Sequence, residues 1–123
     1  MSEKQQQKNL ISWFHLQYPN AMIIAIPNAQ KFLSKAKNIF SIINSMKAEG
    51  YVVGASDLFI PYPKGIYHGM FLEMKDLGKT YASVSKEQRD FIMSMKKAGY
   101  YADWAAGFDL ARGLISPYMA GLL

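Results

Sequence analysis

Apolar residues recur near the N-terminus at helical spacing, at Leu10, Ile11, Phe14 and Tyr18, and predict a helix over residues 3–18 that Pro19-Asn20 stops. AMIIAI (21–26) reads as a buried strand ended by Pro27-Asn28. A second helix is expected from a Ser34 cap to Glu49, with Ile39, Ile42, Ile43 and Met46 as its inner stripe and Gly50 as its stop. SDLFIPY (56–62) and IYHGMFLEMK (66–75) read as two strands joined by a Pro63-Lys64-Gly65 turn, hence a hairpin. After a loop over 76–84, Ser85 with Gln88 three residues later matches the capping-box pattern for a helix over 86–98, closed by Gly99. YYADWAA (100–106) supplies a last strand, 108–115 a short helix, and Pro117 begins an apolar tail. The order α-β-α-β-β-α-β-α, without repeat, low-complexity segment or linker, makes one mixed α/β domain over residues 1–123 the expectation.

Composition narrows what such a domain does. Half of the 123 residues are apolar and 14% are aromatic, which provides for a core and excludes a disordered tail. The absence of cysteine excludes a disulfide framework and a cysteine-based zinc site. MSEKQQQKN lacks the apolar stretch of a secretory signal, and the longest apolar runs are too short to span a bilayer. A cytoplasmic protein with no membrane partner is expected. The net charge of +5 and pI near 9.4 make a polyanion such as nucleic acid a plausible partner. Lys31, Lys35, Lys37 and Lys47 occur without an intervening acid until Glu49, as either a solvated helix face or a phosphate-contacting one.

Several polar residues interrupt the apolar pattern. Within FLEMKDLGK (71–79), Glu73 and Lys75 are two apart and so share a strand face in a segment that otherwise looks buried. Gln88 lies three and four residues before Phe91 and Ile92, which with Met95 and Ala98 form the inner stripe of their helix. Glu3 and Gln7 fall on the stripe that continues through Leu10, Ile11 and Phe14, and Asp57 opens an apolar strand. Each alone is satisfied by a cap, a frayed helix start or a backbone hydrogen bond. Together they converge: Asp57 and Glu73 lie on paired strands, Lys75 shares a face with Glu73, and Gln88 and Glu3 point toward the same place. Buried carboxylates are costly unless paired or bound to a cation, and oxygen ligands in this number suit Mg²⁺ or Mn²⁺ rather than Zn²⁺. His15 and His68 have no partner at metal-ligand spacing and read as structural.

Asp followed by Glu-x-Lys on the next strand is the pattern of the PD-(D/E)xK nucleases. The chain resembles one branch of them, the virus-type replication–repair nuclease (VRR-NUC) domain, in its stand-alone phage and bacterial form. The family's features appear in order: an acid and a Gln on the first helix (Glu3, Gln7), Pro-Asn after the first strand (Pro27-Asn28), and Gly-x-x-Asp (GASD, 54–57). An acid-x-Lys strand (LEMK, 72–75), Ser-x-x-Gln opening a helix (SKEQ, 85–88) and Gly-Tyr with a strand (AGYYADWA, 98–105) follow, then a short helix. One departure is Ser56, where the family usually has Pro; that position shapes the strand entry and supplies no chemistry.

The resemblance implies a restriction-endonuclease-like α/β core, a mixed sheet flanked by helices, and a divalent-metal-dependent DNA endonuclease serving replication or repair. Asp57, Glu73 and the backbone carbonyl of Met74 would hold Mg²⁺ or Mn²⁺, with Glu3 completing the shell or serving a second ion. Lys75 would orient the attacking water or stabilise the charge developing on phosphorus, and Gln88 would hold Lys75 or the water in place. Gln7, Asn28 and Ser85 would support the site, and Lys31, Lys35 and Lys37 would touch the DNA backbone. Stand-alone members resemble junction-resolving endonucleases, so branched DNA and a homodimer are the expected partners. The alternatives are a monomeric nicking or flap-type nuclease and a non-catalytic DNA-binding module on the same fold. GLISPYMAGLL (113–123), uncharged and apolar, is expected either to pack back on its own sheet or to form the two-fold interface.

Overall fold

The computed structural model describes residues 2–29 and 33–123. In chain order the elements are α1 (Glu3–Gln17), β1 (Ile24–Ala25), α2 (Ile39–Ala48), β2 (Leu58–Ile60), β3 (Met70–Lys75), a 3₁₀ turn (Tyr81–Ser83), α3 (Lys86–Lys97), β4 (Tyr101–Ala106) and α4 (Phe108–Met119). The strands form one sheet in the order β1-β2-β3-β4. The first two pairings are antiparallel and β3–β4 is parallel, so the mixed α/β architecture expected from the sequence is the one observed. Among the described residues no helix is long and apolar enough to cross a membrane.

Alternation along β3 divides the molecule into two layers of contact. Met70, Leu72 and Met74 join Leu58 and Ile60 of β2, Leu10 and Phe14 of α1, and Ile115 and Tyr118 of α4 in the main core. Each fully buried side chain of this size contributes about 1.5–3 kcal/mol. Phe71, on the other face, stacks on Phe59 of β2 at 4.4 Å and meets Phe91 of α3 edge-on at 5.3 Å. β3 is thus covered on both faces. Parallel pairing with β4 is possible because the connection through α3 crosses back over that second face.

The segments that differ from expectation do so for local reasons. Residues 21–26 contribute only a two-residue edge strand, with Ile24 39% exposed, because β1 pairs with β2 alone. The second helix starts at Ile39 rather than Ser34: a turn closed by the Ala36 amide on the Leu33 carbonyl precedes it. Its stripe is shallow, with Ile43 buried and Ile42 36% exposed. Lys31 lies outside the described residues; Lys35 and Lys37 are exposed in the turns before α2. The hairpin strands are shorter than expected, and a tight Lys64–Tyr67 bridge closes the tip, with Gly65 at φ +58°.

The largest difference is at the C-terminus. The last helix does not stop at residue 115 but continues through Pro117 to Met119. Pro117 lacks the N–H that would bond the Gly113 carbonyl, a loss near the helix end that tertiary contacts outweigh. Ile115 and Tyr118 are fully buried, and the Tyr118 hydroxyl donates to the Tyr62 carbonyl at 2.7 Å. The helical part of the apolar tail therefore covers its own core, while Leu122 and Leu123 beyond it stay exposed. Burial holds the Tyr118 phenol above its ordinary pKa.

Ending the chain at Arg112 removes two side chains whose truncation alone costs about 2–5 kcal/mol each, against a typical total of about 5–15 kcal/mol. That truncated chain is expected to lack a cooperative thermal transition by circular dichroism. Tyr118→Phe, which loses only the hydrogen bond to Tyr62, should fold and lose about 1 kcal/mol in urea titration.

Candidate active site

The second face of the sheet carries the polar residues. Phe71, Glu73 and Lys75 alternate with the core-facing side chains of β3. β2 and β3 pair Leu58 with Leu72 and Phe59 with Phe71. One step further along that register, Asp57 stands opposite Glu73. On the other side, β4 sets Trp104 beside Glu73 and Ala106 beside Lys75. Glu73 is thus the middle member of a row that runs Asp57, Glu73, Trp104 across three chain segments. It is 2% exposed, and Asp57 is 8% exposed.

Asp57 is fixed from two directions. Its carboxylate Oδ2 accepts the Met74 amide N–H at 2.7 Å, and its own carbonyl accepts the Ile26 N–H from beyond β1, also at 2.7 Å. The side chain takes over a backbone donor where the regular β2 ladder ends. Ser56, the departure from the family pattern, is fully buried, and its Oγ has no hydrogen-bond partner among the described residues. The position calls for volume and not for a polar group.

The first turn of α3 closes the site from above. Ser85 Oγ accepts the Gln88 amide at 3.2 Å and the Ser85 amide donates to Gln88 Oε1 at 2.9 Å, which completes the capping box. Gly54, at φ +87°, lets residues 51–55 pass directly against this turn; a Cβ there would overlap the Glu87 backbone carbonyl carbon. A cavity of about 270 Å³ lies between them, lined among others by Asn28, Gly54, Lys75, Ser85 and Gln88. Asn28 Oδ1 accepts the Tyr51 hydroxyl at 3.3 Å at its rim. Asn28, Lys75, Ser85 and Gln88 are therefore brought to one cavity, which Lys75 links to Glu73 along one face of β3.

Two further expected participants, Glu3 and Gln7, sit on α1. Among the described residues no three His, Cys, Asp or Glu side chains form a group able to hold a metal ion, and Glu3 is half-buried at the start of α1. Gln7 is half-buried, while its neighbour Gln6 is the buried one and accepts the Phe108 N–H through Oε1 at 2.6 Å. Gln6 caps α4 from a distance, since Gly107 has no side chain to do so. Sequence reasoning passed over Gln6 in the run of three glutamines, although it lies four residues before Leu10 and eight before Phe14. His15 is exposed beside Phe14, and His68 packs against Gly99 and Tyr100.

The family model of the VRR-NUC domain matches residues 1–109. The chain belongs to the VRR-NUC domain family. A solved structure described as a "VRR_NUC domain protein" is similar over 98% of this chain and 89% of its own, with a TM-score of 0.76 and 27% identity. A search of the curated proteins gives no match. Membership in the VRR-NUC family implies a nuclease of the PD-(D/E)xK type with DNA as substrate, and the family is generally dependent on divalent metal.

The residues present fit such an ion. Two carboxylates on neighbouring segments beside a backbone carbonyl suit a hard cation that retains several waters, and this is how Mg²⁺ is commonly held. The close approach at Gly54 generates a test. Gly54→Ala combines an unfavourable positive φ with overlap on the first turn of α3, and should cost at least about 2 kcal/mol in urea unfolding. Gly78→Ala, where φ is +86° but no atom lies near, should cost about half as much or less.

Proposed function

We propose that this chain is a divalent-metal-dependent endodeoxyribonuclease, one nuclease domain over residues 1–123, that hydrolyses phosphodiester bonds in DNA with Mg²⁺ or Mn²⁺. The observation that carries the reading is the row Asp57–Glu73 with Lys75 on the same face and a cavity opening beside it. Two buried carboxylates on adjacent segments are costly to keep from water, and a divalent cation between them offsets that cost.

Asp57, Glu73 and the Met74 carbonyl would hold the ion, with Asp57 already oriented by the Met74 amide. When bound, such an ion polarises a phosphoryl oxygen and lowers the pKa of a coordinated water. The Lys75 ammonium orients the attacking water and offsets negative charge on the phosphoryl oxygens. The Gln88 carbonyl oxygen serves the helix cap, so the side chain offers the site its NH₂ donors. These suit a water or a phosphate oxygen better than they suit the Lys75 ammonium. On this reading Gln7, Asn28 and Ser85 support the elements that carry the site.

Branched DNA is the proposed substrate class. Junction resolution by a homodimer and nicking or flap cleavage by a monomer divide that class. Ile115 and Tyr118 are spent on the chain's own core, while Leu122 and Leu123 stay exposed, so the end of the tail is open to either reading.

Asp57→Asn, Glu73→Gln and Lys75→Ala should each reduce cleavage of flap and four-way junction DNA at least about a hundredfold, roughly 2.7 kcal/mol of barrier. EDTA should abolish cleavage, and Mg²⁺ or Mn²⁺ should restore it. Two of the three variants cleaving like wild type would sink the assignment. A separate measurement concerns the lysines before α2: in the Glu73→Gln background, changing Lys35 and Lys37 to Gln should flatten the fall of DNA affinity with salt. An unchanged slope returns them to solvent.

A further inference from the structure

Beyond Glu73, on the side away from Asp57, the row continues into aromatic residues that the proposed chemistry does not use. Trp104 of β4 stands beside Glu73 in the parallel register and is half-buried. The Tyr81 ring, from the 3₁₀ turn, lies 6.2 Å from Trp104 at a 45° tilt. Arg89 of α3 holds the ring and its backbone separately: its guanidinium sits 4.1 Å from the ring centroid, and its Nη2 donates to the Tyr81 backbone carbonyl at 3.0 Å. Even so, Tyr81 is 53% exposed. Ser83, from the same turn, lines the cavity shared with Lys75 and Gln88. An aromatic ring clamped by a cation, left open to solvent and joined to Glu73 through Trp104, is more than the core requires.

We infer that Tyr81, backed by Arg89 and Trp104, is a stacking platform for an unpaired nucleobase next to the scissile phosphate. The inference rests on the nuclease reading and deepens it by naming the residues that would read an unpaired base beside the site. A base within continuous duplex has both faces covered by its neighbours and offers nothing to Tyr81. A base at a flap, a junction crossover or a single-stranded end has a free face, and stacking on tyrosine accepts any of the four bases. Arg89 adds positive charge at the same point, where the strand's phosphates pass. The site therefore selects the boundary between single and double strand by structure and not by sequence.

The test separates this from the nuclease assignment by measuring binding without chemistry. Fluorescence anisotropy in EDTA would follow full-length protein with a flapped duplex and with a continuous duplex of equal length. Tyr81→Ala should weaken flap binding about tenfold, the scale of one base–aromatic stack, and change duplex binding less than about twofold. Tyr81→Phe, which keeps the ring, should bind the flap like wild type. A 2-aminopurine placed at the first unpaired position should be quenched by wild type and by Tyr81→Phe, but not by Tyr81→Ala. Flap binding unchanged in Tyr81→Ala, or equal losses on flap and duplex, would overturn the platform even if cleavage proceeds as proposed. Absence of cleavage by wild type would overturn the nuclease reading and leave the binding result standing.

Discussion

The hydrogen bond from the Met74 amide to the Asp57 carboxylate, 2.7 Å long and buried, joins the architecture to the chemistry. It forms where β2 stops being a regular strand, so a side chain supplies the acceptor that a backbone carbonyl would otherwise have given. A buried amide left without an acceptor costs about 1–3 kcal/mol, so the fold itself holds the carboxylate in place. The same residue's carbonyl anchors the edge strand through Ile26. One acidic side chain thus terminates a ladder, orders its neighbour and stands opposite Glu73.

β3 makes that arrangement possible because it is buried on both faces for different purposes. Met70, Leu72 and Met74 build the core with α1 and α4. Phe71 anchors α3 on the reverse, and Glu73 and Lys75 continue the same face toward the cavity. A rigid central strand is a better support for reacting groups than a loop, since backbone pairing on both edges fixes where each side chain emerges. The cost is an acid that is almost wholly removed from water. Proteins accept such costs where function requires them, and core packing on the opposite face offsets them.

Around this strand, small devices set the remaining distances. Gly54 brings the 51–55 loop onto the first turn of α3, and the Ser85–Gln88 box fixes where that turn begins. Gln6 reaches from α1 to cap α4, which ties the two core helices at the end nearest Gly107. The Gly107 amide in turn donates to the Lys75 carbonyl at 3.0 Å. The core helices and the site are therefore connected through a few hydrogen bonds at the end of β3.

Local signals determined much of this protein. The capping box, the glycine stops and the hairpin were legible because each depends on neighbours within a few residues. The approach of Asp57 to Glu73 was legible too, since pairing across a short hairpin follows from the chain's own order. What depended on distant partners was not. Pro117 reads as a helix stop, yet α4 runs through it because Ile115 and Tyr118 gain a buried environment from α1 and the sheet. AMIIAI reads as buried, but whether a strand lies inside a sheet or at its edge is decided by how many strands pair with it. Three consecutive glutamines hide which one faces inward until α4 presents its unpaired amide to Gln6. Tyr81, Arg89 and Trp104 are scattered over 24 residues of sequence and become one cluster only when β4 returns parallel to β3. Periodicity records which faces are apolar; which partner covers each face is settled by tertiary packing, because burial energy depends on the contact and not on the residue alone.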